Sequence, residues 1–200
     1  MEIDLRKMSW FREPKEFQID NDRISITSNP FTDLWQKTYY HFVNDNAPLL
    51  LTSSDESYLS FQVKTQFKGK RRFDQCGVIL WMDSENWAKA SAEYQDESSL
   101  QLGSVVTQSG YSDWASTDIS SEIQEIWYRL SRRESDWRYE VSFDGNRWQQ
   151  IRVFHMHKNP KHVTFGIYIA SPEDSSFQAR FSHLELLPCL WKAHDGQQPD

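Results

Sequence analysis

Apolar and polar positions alternate with a period of two over much of this chain, most regularly between Phe73 and Trp114. Gln75 to Met82 is one such run, Asp83-Ser84-Glu85-Asn86 is a cluster of turn formers, and Trp87 to Tyr94 alternates again. The stretch therefore predicts a hairpin. Polarity sets its register. Pairing Trp81 with Trp87 places Cys76, Val78 and Leu80 opposite Ala92, Ala90 and Ala88 on one small apolar face. The other face then carries Gln75, Gly77, Ile79 and Trp81 with Trp87, Lys89, Ser91 and Glu93. A slip of one residue brings Lys89 opposite Leu80 and Glu93 opposite Cys76, which mixes charge into the core and argues against that register. The face chosen as outer is richer in polar groups and tryptophan than a merely solvated strand face needs to be.

The rest of the chain continues in short strands. Phe17 to Asp20 and Arg23 to Thr27 flank the turn Asn21-Asp22, with Ile24 and Ile26 inward. Tyr39, Tyr40 and Phe42, followed by the irregular stretch Asn44 to Pro48, are too aromatic for an ordinary loop; they predict a segment that packs over a sheet edge or lines a cleft. Leu49 to Thr52 and Tyr58 to Phe67 come next. In the second, Leu59, Phe61, Val63, Thr65 and Phe67 share one face, and Ser60, Gln62, Lys64 and Gln66 the wet one. Further strands are predicted over Gln101 to Gln108, Ile126 to Arg132, Trp137 to Phe143, Arg147 to Phe154, Val163 to Ala170 and Phe177 to Leu187. Asp144-Gly145 reads as a hairpin turn, Gly110 to Trp114 as a polar corner, and Ser120 to Trp127 as the best short helical candidate. Roughly ten to twelve strands at this spacing imply an all-β fold: one two-sheet antiparallel β-sandwich over residues 1–200, with a core at about 10–187 and a polar tail at 192–200. The length favours a jelly roll over an immunoglobulin domain, which closes in ~100 residues.

Composition sharpens this picture. Nine Trp, eight Tyr and twelve Phe suit half-buried pleated surfaces. The net charge of −7, with Lys68, Lys70, Arg71 and Arg72 the one dense basic group, lacks the basic stripe of a nucleic-acid binder; that group reads as a polar turn before the Phe73 strand. No segment approaches the ~20 apolar residues of a membrane span, and the N-terminal residues lack the apolar run of a signal peptide. The expectation is a cytoplasmic protein with no nucleic-acid or membrane partner. Cys76 and Cys189 suit buried free thiols rather than a disulfide framework.

The series Asp33-Leu34-Trp35, Phe73-Asp74-Gln75-Cys76-Gly77, Trp87-Ala88-Lys89 with Glu93, Val105-Val106-Thr107, Ser112-Asp113-Trp114 and Ser142-Phe143-Asp144-Gly145 with Trp148 resembles the regulation of enolase family, a domain of unknown function. The resemblance spans about residues 10 to 187. It implies a concanavalin A-like lectin and glucanase sandwich, in which a ligand sits on the concave face of one curved sheet. Leu34 stands where the family commonly has an aromatic residue, and Ala115 where it commonly has serine.

Sugar recognition needs flat rings to stack on and amide or carboxylate groups for the rim hydroxyls. Gln75, Trp81, Trp87, Lys89 and Glu93 supply both on one face, with Asp33, Trp35, Asp113 and Trp114 as candidate walls. The bland alternatives are a structural Lys89–Glu93 ion pair, and Trp35 and Trp114 as buried loop anchors. A glycosidase needs two carboxyl groups at fixed separation, ~5 Å or ~6.5 to 9.5 Å. Glu93 is a lone acid on its face unless Asp74 or Asp113 reaches it, and Glu134, Asp136 and Glu140 straddle a predicted turn. His155 and His157 share a strand face without completing a metal set, so neither metal nor cofactor is expected. The reading is a non-catalytic module binding a sugar or small metabolite. The alternatives are a regulatory domain gripping a cytosolic metabolic enzyme, with Tyr39, Tyr40 and Phe42 as the exposed patch, and a hydrolase built on Glu93.

Overall fold

The structure is a computed structural model and describes residues 2–192; the expected polar tail lies outside the described residues from residue 193 onward. A single turn of 3-10 helix (Leu5–Lys7) precedes β1 (Ser9–Arg12), β2 (Glu16–Asp20), β3 (Arg23–Thr27), β4 (Leu34–Gln36), β5 (Val43–Asp45), β6 (Leu49–Ser54), β7 (Tyr58–Phe67) and β8 (Gln75–Asp83). β9 (Asn86–Tyr94), β10 (Ser99–Gln108), β11 (Tyr111–Ser120), β12 (Glu125–Arg133), β13 (Asp136–Ser142), β14 (Gln149–His155), β15 (Val163–Ala170) and β16 (Gln178–Pro188) follow. One sheet runs β1-β6-β15-β8-β9-β10-β11 and the other β14-β13-β12-β7-β16-β3-β2, each with antiparallel neighbours; β4 and β5 form a separate two-stranded hairpin.

The core lies between the two large sheets. Val78, Leu80, Ala88, Ala90, Ala92, Phe165 and Ile167 enter it from the first, and Phe61, Val63, Tyr128, Leu130, Tyr139 and Val141 from the second, all fully buried. The three alanines of β9 make room for large rings across the interface, and the Tyr139 hydroxyl donates to the Ala88 carbonyl at 2.8 Å. Cys76 is buried here, and burial pushes its thiol well up.

The β8–β9 register is the one polarity dictates: Gln75 opposite Glu93, Val78 opposite Ala90, Ile79 opposite Lys89 and Trp81 opposite Trp87. Gly77 sits in the middle of this pairing because a β-carbon there would come within 2.0 Å of the Ala90 carbonyl oxygen.

Four expectations need correction. Ser120 to Trp127 is not helical: Ser121 to Gln124 form a turn and β12 begins at Glu125. Gly110 to Trp114 is not a corner, because Ser109 and Gly110 both take positive φ (51° and 74°) and turn the chain in two residues, so that Tyr111 to Ser120 pairs along the whole of β10. The Asp144-Gly145 turn is wider than expected. The Asp144 carboxylate accepts from the Asn146 and Arg147 amides, 2.7 Å each, which holds Arg147 in the loop and delays β14 to Gln149. Gln62 and Ser60 are also drier than a wet face implies: Ser60 bonds the Ser131 hydroxyl and takes the Leu190 amide, so the segment after β16 covers it.

Candidate ligand-binding site

The outer face of the first sheet is where the polar half of the β8–β9 hairpin emerges. Register continues the pattern across two more strands: Ile79 pairs with Lys89, Lys89 with Val105, and Val105 with Trp114. These four residues form one row across β8, β9, β10 and β11, so Trp114 shares a face with Lys89. Asp113, one residue earlier, must point the other way. It is largely exposed there and pairs with Arg152 of β14 at 2.6 Å.

Residues 31–47, which contain the β4–β5 hairpin, lie over this face. Leu34, Trp35 and Ala47 pack on Ile79, Trp81, Trp87, Val105 and Tyr168 and create a second apolar cluster, separate from the sandwich core. Main-chain bonds fasten the segment: the Gln36 amide donates to the Ser112 hydroxyl, the Gln36 side chain to the Ser84 carbonyl, and the Asp33 amide to Asn46. Trp87 is fully enclosed in this cluster, and Trp81 nearly so, with Phe11 and Arg12 packed on its ring. Both tryptophans therefore support the segment from below and lie outside the cavity wall.

Between the segment and the sheet is a cavity of about 360 Å³, a volume suited to a small ligand. Trp35, Tyr40, Phe42, Phe73 and Trp114 supply aromatic wall, and Asp33, Asn44, Gln75, Lys89, Glu93 and Glu173 supply polar groups, with Val105 and Pro172 between them. Six of the nine residues nominated from sequence thus meet in one place: Asp33, Trp35, Gln75, Lys89, Glu93 and Trp114. Trp81, Trp87 and Asp113 do not. The segment also brings in Tyr40, Phe42 and Asn44, whose aromatic density was the signal in the sequence; nothing in the sequence singled out Phe73, Pro172 or Glu173 for the wall.

A hydrogen-bonded chain fixes the polar floor. Lys89 Nζ donates to Gln75 Oε1 at 2.8 Å and to Asp33 Oδ1 at 3.3 Å. The Tyr168 hydroxyl donates to the same Gln75 oxygen at 2.9 Å, and Gln75 Nε2 donates to the Phe73 carbonyl at 3.1 Å. The sequence alternative of a Lys89–Glu93 ion pair is replaced by this Lys89–Asp33 pair. The Glu93 carboxylate has no hydrogen-bond or ion-pair partner among the described residues, although the residue is only 8% exposed. Burial pushes its carboxyl up to about 7, Lys89 opposes that shift, and Asp33 adds to it.

The rim is held in unusual backbone. Lys37, Tyr39 and His41 take φ of 55°, 62° and 61° in alternation, and Phe31 and Phe73 also have positive φ. Non-glycine residues in this region concentrate at functional sites, where the surroundings hold the strain. The result is a set of touching rings: Tyr40 meets Trp35 edge-on at 5.7 Å and stacks on Phe42 at 5.6 Å.

Other acids have separate tasks. Asp74 Oδ2 accepts from the Lys70 and Arg71 amides and the Ser175 hydroxyl, so it braces the turn that carries the basic group. Glu134 lies in the β12–β13 turn, Asp136 bonds His155, and Glu140 pairs with Arg138. Among the described residues no group of three or more His, Cys, Asp or Glu is placed to hold a metal ion, and no helix is long and apolar enough to cross a membrane.

This architecture can be set beside known proteins. Residues 10–189 match the family described as Protein of unknown function (DUF1349). The chain belongs to that family. "Regulation of enolase protein 1" of Saccharomyces cerevisiae is 27% identical over 193 residues, covering 96% of each chain. A crystal structure of a functionally unknown protein from Saccharomyces cerevisiae superposes with a TM-score of 0.87 at 26% identity, over 94% of this chain and all of that one. The GH43 protein BlXynB of Bacillus licheniformis shares the sandwich alone: TM-score 0.72 and 13% identity over 94% of this chain and 38% of that chain. The two-sheet sandwich of this chain thus recurs within a part of a GH43 protein.

Proposed function

We propose that this DUF1349 chain is a non-catalytic module that binds a sugar or sugar-like small metabolite in the cavity beneath residues 31–47. The observation that carries the reading is the convergence on one cavity of five aromatic rings with a preorganised floor of Asp33, Gln75 and Lys89 and the unpartnered Glu93. Rings stack on the apolar faces of a sugar, and fixed donors and acceptors orient its hydroxyls without reorganisation on binding. The test is thermal unfolding with a panel of mono- and oligosaccharides and sugar phosphates at ~20 mM. A ligand with a dissociation constant near ~1 mM stabilises the fold by about 1.8 kcal/mol, a shift of several degrees. The shift is expected to vanish in a folded Glu93→Ala chain; no shift with any compound overturns the reading.

A second reading has its own support. Tyr39, Tyr40, Phe42 and Val43 are exposed beside the cavity mouth, Tyr39 by 81%, and the yeast relative is named for regulation of enolase. On this reading the patch docks on a metabolic enzyme, and titration against purified enolase, with Tyr39→Ser/Phe42→Ser as the control, decides it.

A further inference from the structure

We infer that the ligand of this cavity carries a cationic nitrogen: the site is built for a small hydroxylated organic cation, with its positive charge set beside Glu93 among the aromatic rings. The inference rests on the small-ligand reading above and specifies the chemistry of that ligand.

Charge is the first observation. Three carboxylates, Asp33, Glu93 and Glu173, line the cavity against one cation, Lys89, which leaves a balance of −2 when all are ionised. Lys89 is already committed, since its ammonium is bonded to Gln75 and Asp33. Lys89 favours the Glu93 charge only at a distance, and gives it no hydrogen bond or ion pair.

The second observation is independent of the count. Glu93 is 8% exposed, lines the cavity, and has no bonding partner among the described residues. A carboxylate largely withdrawn from water with no protein partner is disfavoured when ionised, and what surface it keeps opens on the cavity, so its partner is to be sought in what enters there. A neutral hydroxyl supplies a hydrogen bond but no charge. An anionic ligand, such as a sugar phosphate, meets repulsion.

The walls agree with the charge. Trp35, Tyr40, Phe42 and Trp114 line the cavity with aromatic rings, while the Phe73 ring already carries the Arg72 guanidinium at 4.7 Å, and an alkylated or primary ammonium is attracted to ring faces most strongly where water is excluded. Acid and rings together line one cavity, and Asn44 also lies on its wall, within reach of the ligand's hydroxyl groups.

Affinity should then depend on pH in a definite sense. Glu93 titrates near 7, and the groups facing it are Lys89 on its own strand, Asp33 before β4, Tyr168 on β15, and Tyr40 and Glu173 in the loops. A bound cation holds Glu93 ionised, so binding releases a proton and tightens as pH rises from ~6 to ~8.

The experiment is calorimetric titration of the full chain with two matched pairs. The first is choline, a permanent cation, and its neutral isostere with a tert-butyl group in place of trimethylammonium; the second is glucosamine and glucose. The expected result is that each cation binds at least roughly tenfold tighter than its neutral partner, that choline binds tighter at pH ~8 than at ~6, and that Glu93→Gln removes both preferences while the chain stays folded. Equal binding within both pairs, or binding by neutral saccharides with none by either cation, overturns the inference and leaves the small-ligand reading standing. Binding by none of these compounds and none of the saccharide panel overturns both.

Discussion

Glu93 stands directly opposite Gln75 across the β8–β9 pair, yet the Gln75 side chain is bonded to Lys89, Tyr168 and the Phe73 carbonyl and gives Glu93 nothing. The carboxyl is thus left to the cavity. In the folded chain it titrates near 7, against 4.5 for an ordinary glutamate. The folded state therefore binds this proton more tightly than the unfolded state does. Stability from this group is whole below pH ~4.5 and is lost as pH rises through ~7, by on the order of 3 kcal/mol. Urea unfolding at pH ~5 and ~8 should show Glu93→Gln more stable than the parent at the higher pH and nearly equal at the lower. A parent whose stability matches the variant at both would refute the assignment.

Lys89 and Asp33 form a largely buried pair, 3% and 14% exposed in their side chains. Lys89→Met removes the charged donor that Asp33 and Gln75 Oε1 share, leaving Asp33 Oδ1 with the Leu34 amide and Gln75 Oε1 with the Tyr168 hydroxyl. The expected cost is about 3 kcal/mol, most of it from the carboxylate left behind. Lys89→Met/Asp33→Asn should cost clearly less than the sum of the two single changes, by at least ~1 kcal/mol in a double-mutant cycle.

Trp87 and Trp114 lie on the same face of the sheet and should separate cleanly. Trp87 is fully buried beneath the 31–47 segment, and Trp87→Ala is expected to destabilise by about 4 kcal/mol in chemical denaturation. Trp114 is 38% exposed on the cavity wall, and Trp114→Ala should cost about 1 kcal/mol or less while weakening any ligand that stabilises the parent.

Gly77 tests the close approach of strands under the floor. The β-carbon of Gly77→Ala would meet the Ala90 carbonyl at 2.0 Å, so β8 and β9 must separate around the Gly77–Ser91 pair, two residues along from Gln75 and Glu93. A loss of more than ~2 kcal/mol is expected in the same assay. A near-neutral outcome would show that the register yields without cost.

The fold and the floor of the site were legible because both follow from period-two alternation and from the cost of burying charge. Trp81–Trp87 pairing, the core alanines and the shared face of Gln75, Lys89 and Glu93 needed nothing else. Trp114 was nominated along with Asp113 as part of a corner, and only the β10–β11 pairing, which carries the register from Lys89 through Val105, separates them by placing Trp114 on that face and turning Asp113 away. Trp81 and Trp87 misled because alternation tells which face a residue takes and is silent on what lies over that face. Phe73 and Glu173 were illegible for a related reason: they reach the wall through a positive-φ residue and a loop, neither of which has a periodic signature.

The segment at residues 31–47 contributes Asp33, Trp35, Tyr40, Phe42 and Asn44 to the cavity and rests on a cluster distinct from the sandwich core. The cavity is therefore walled from two sources: the segment supplies one side, and β8, β9 and β11 supply Gln75, Lys89, Glu93 and Trp114 on the other. Changes within residues 31–47 should alter the cavity while leaving the Val78, Leu80 and Phe165 interior as it is.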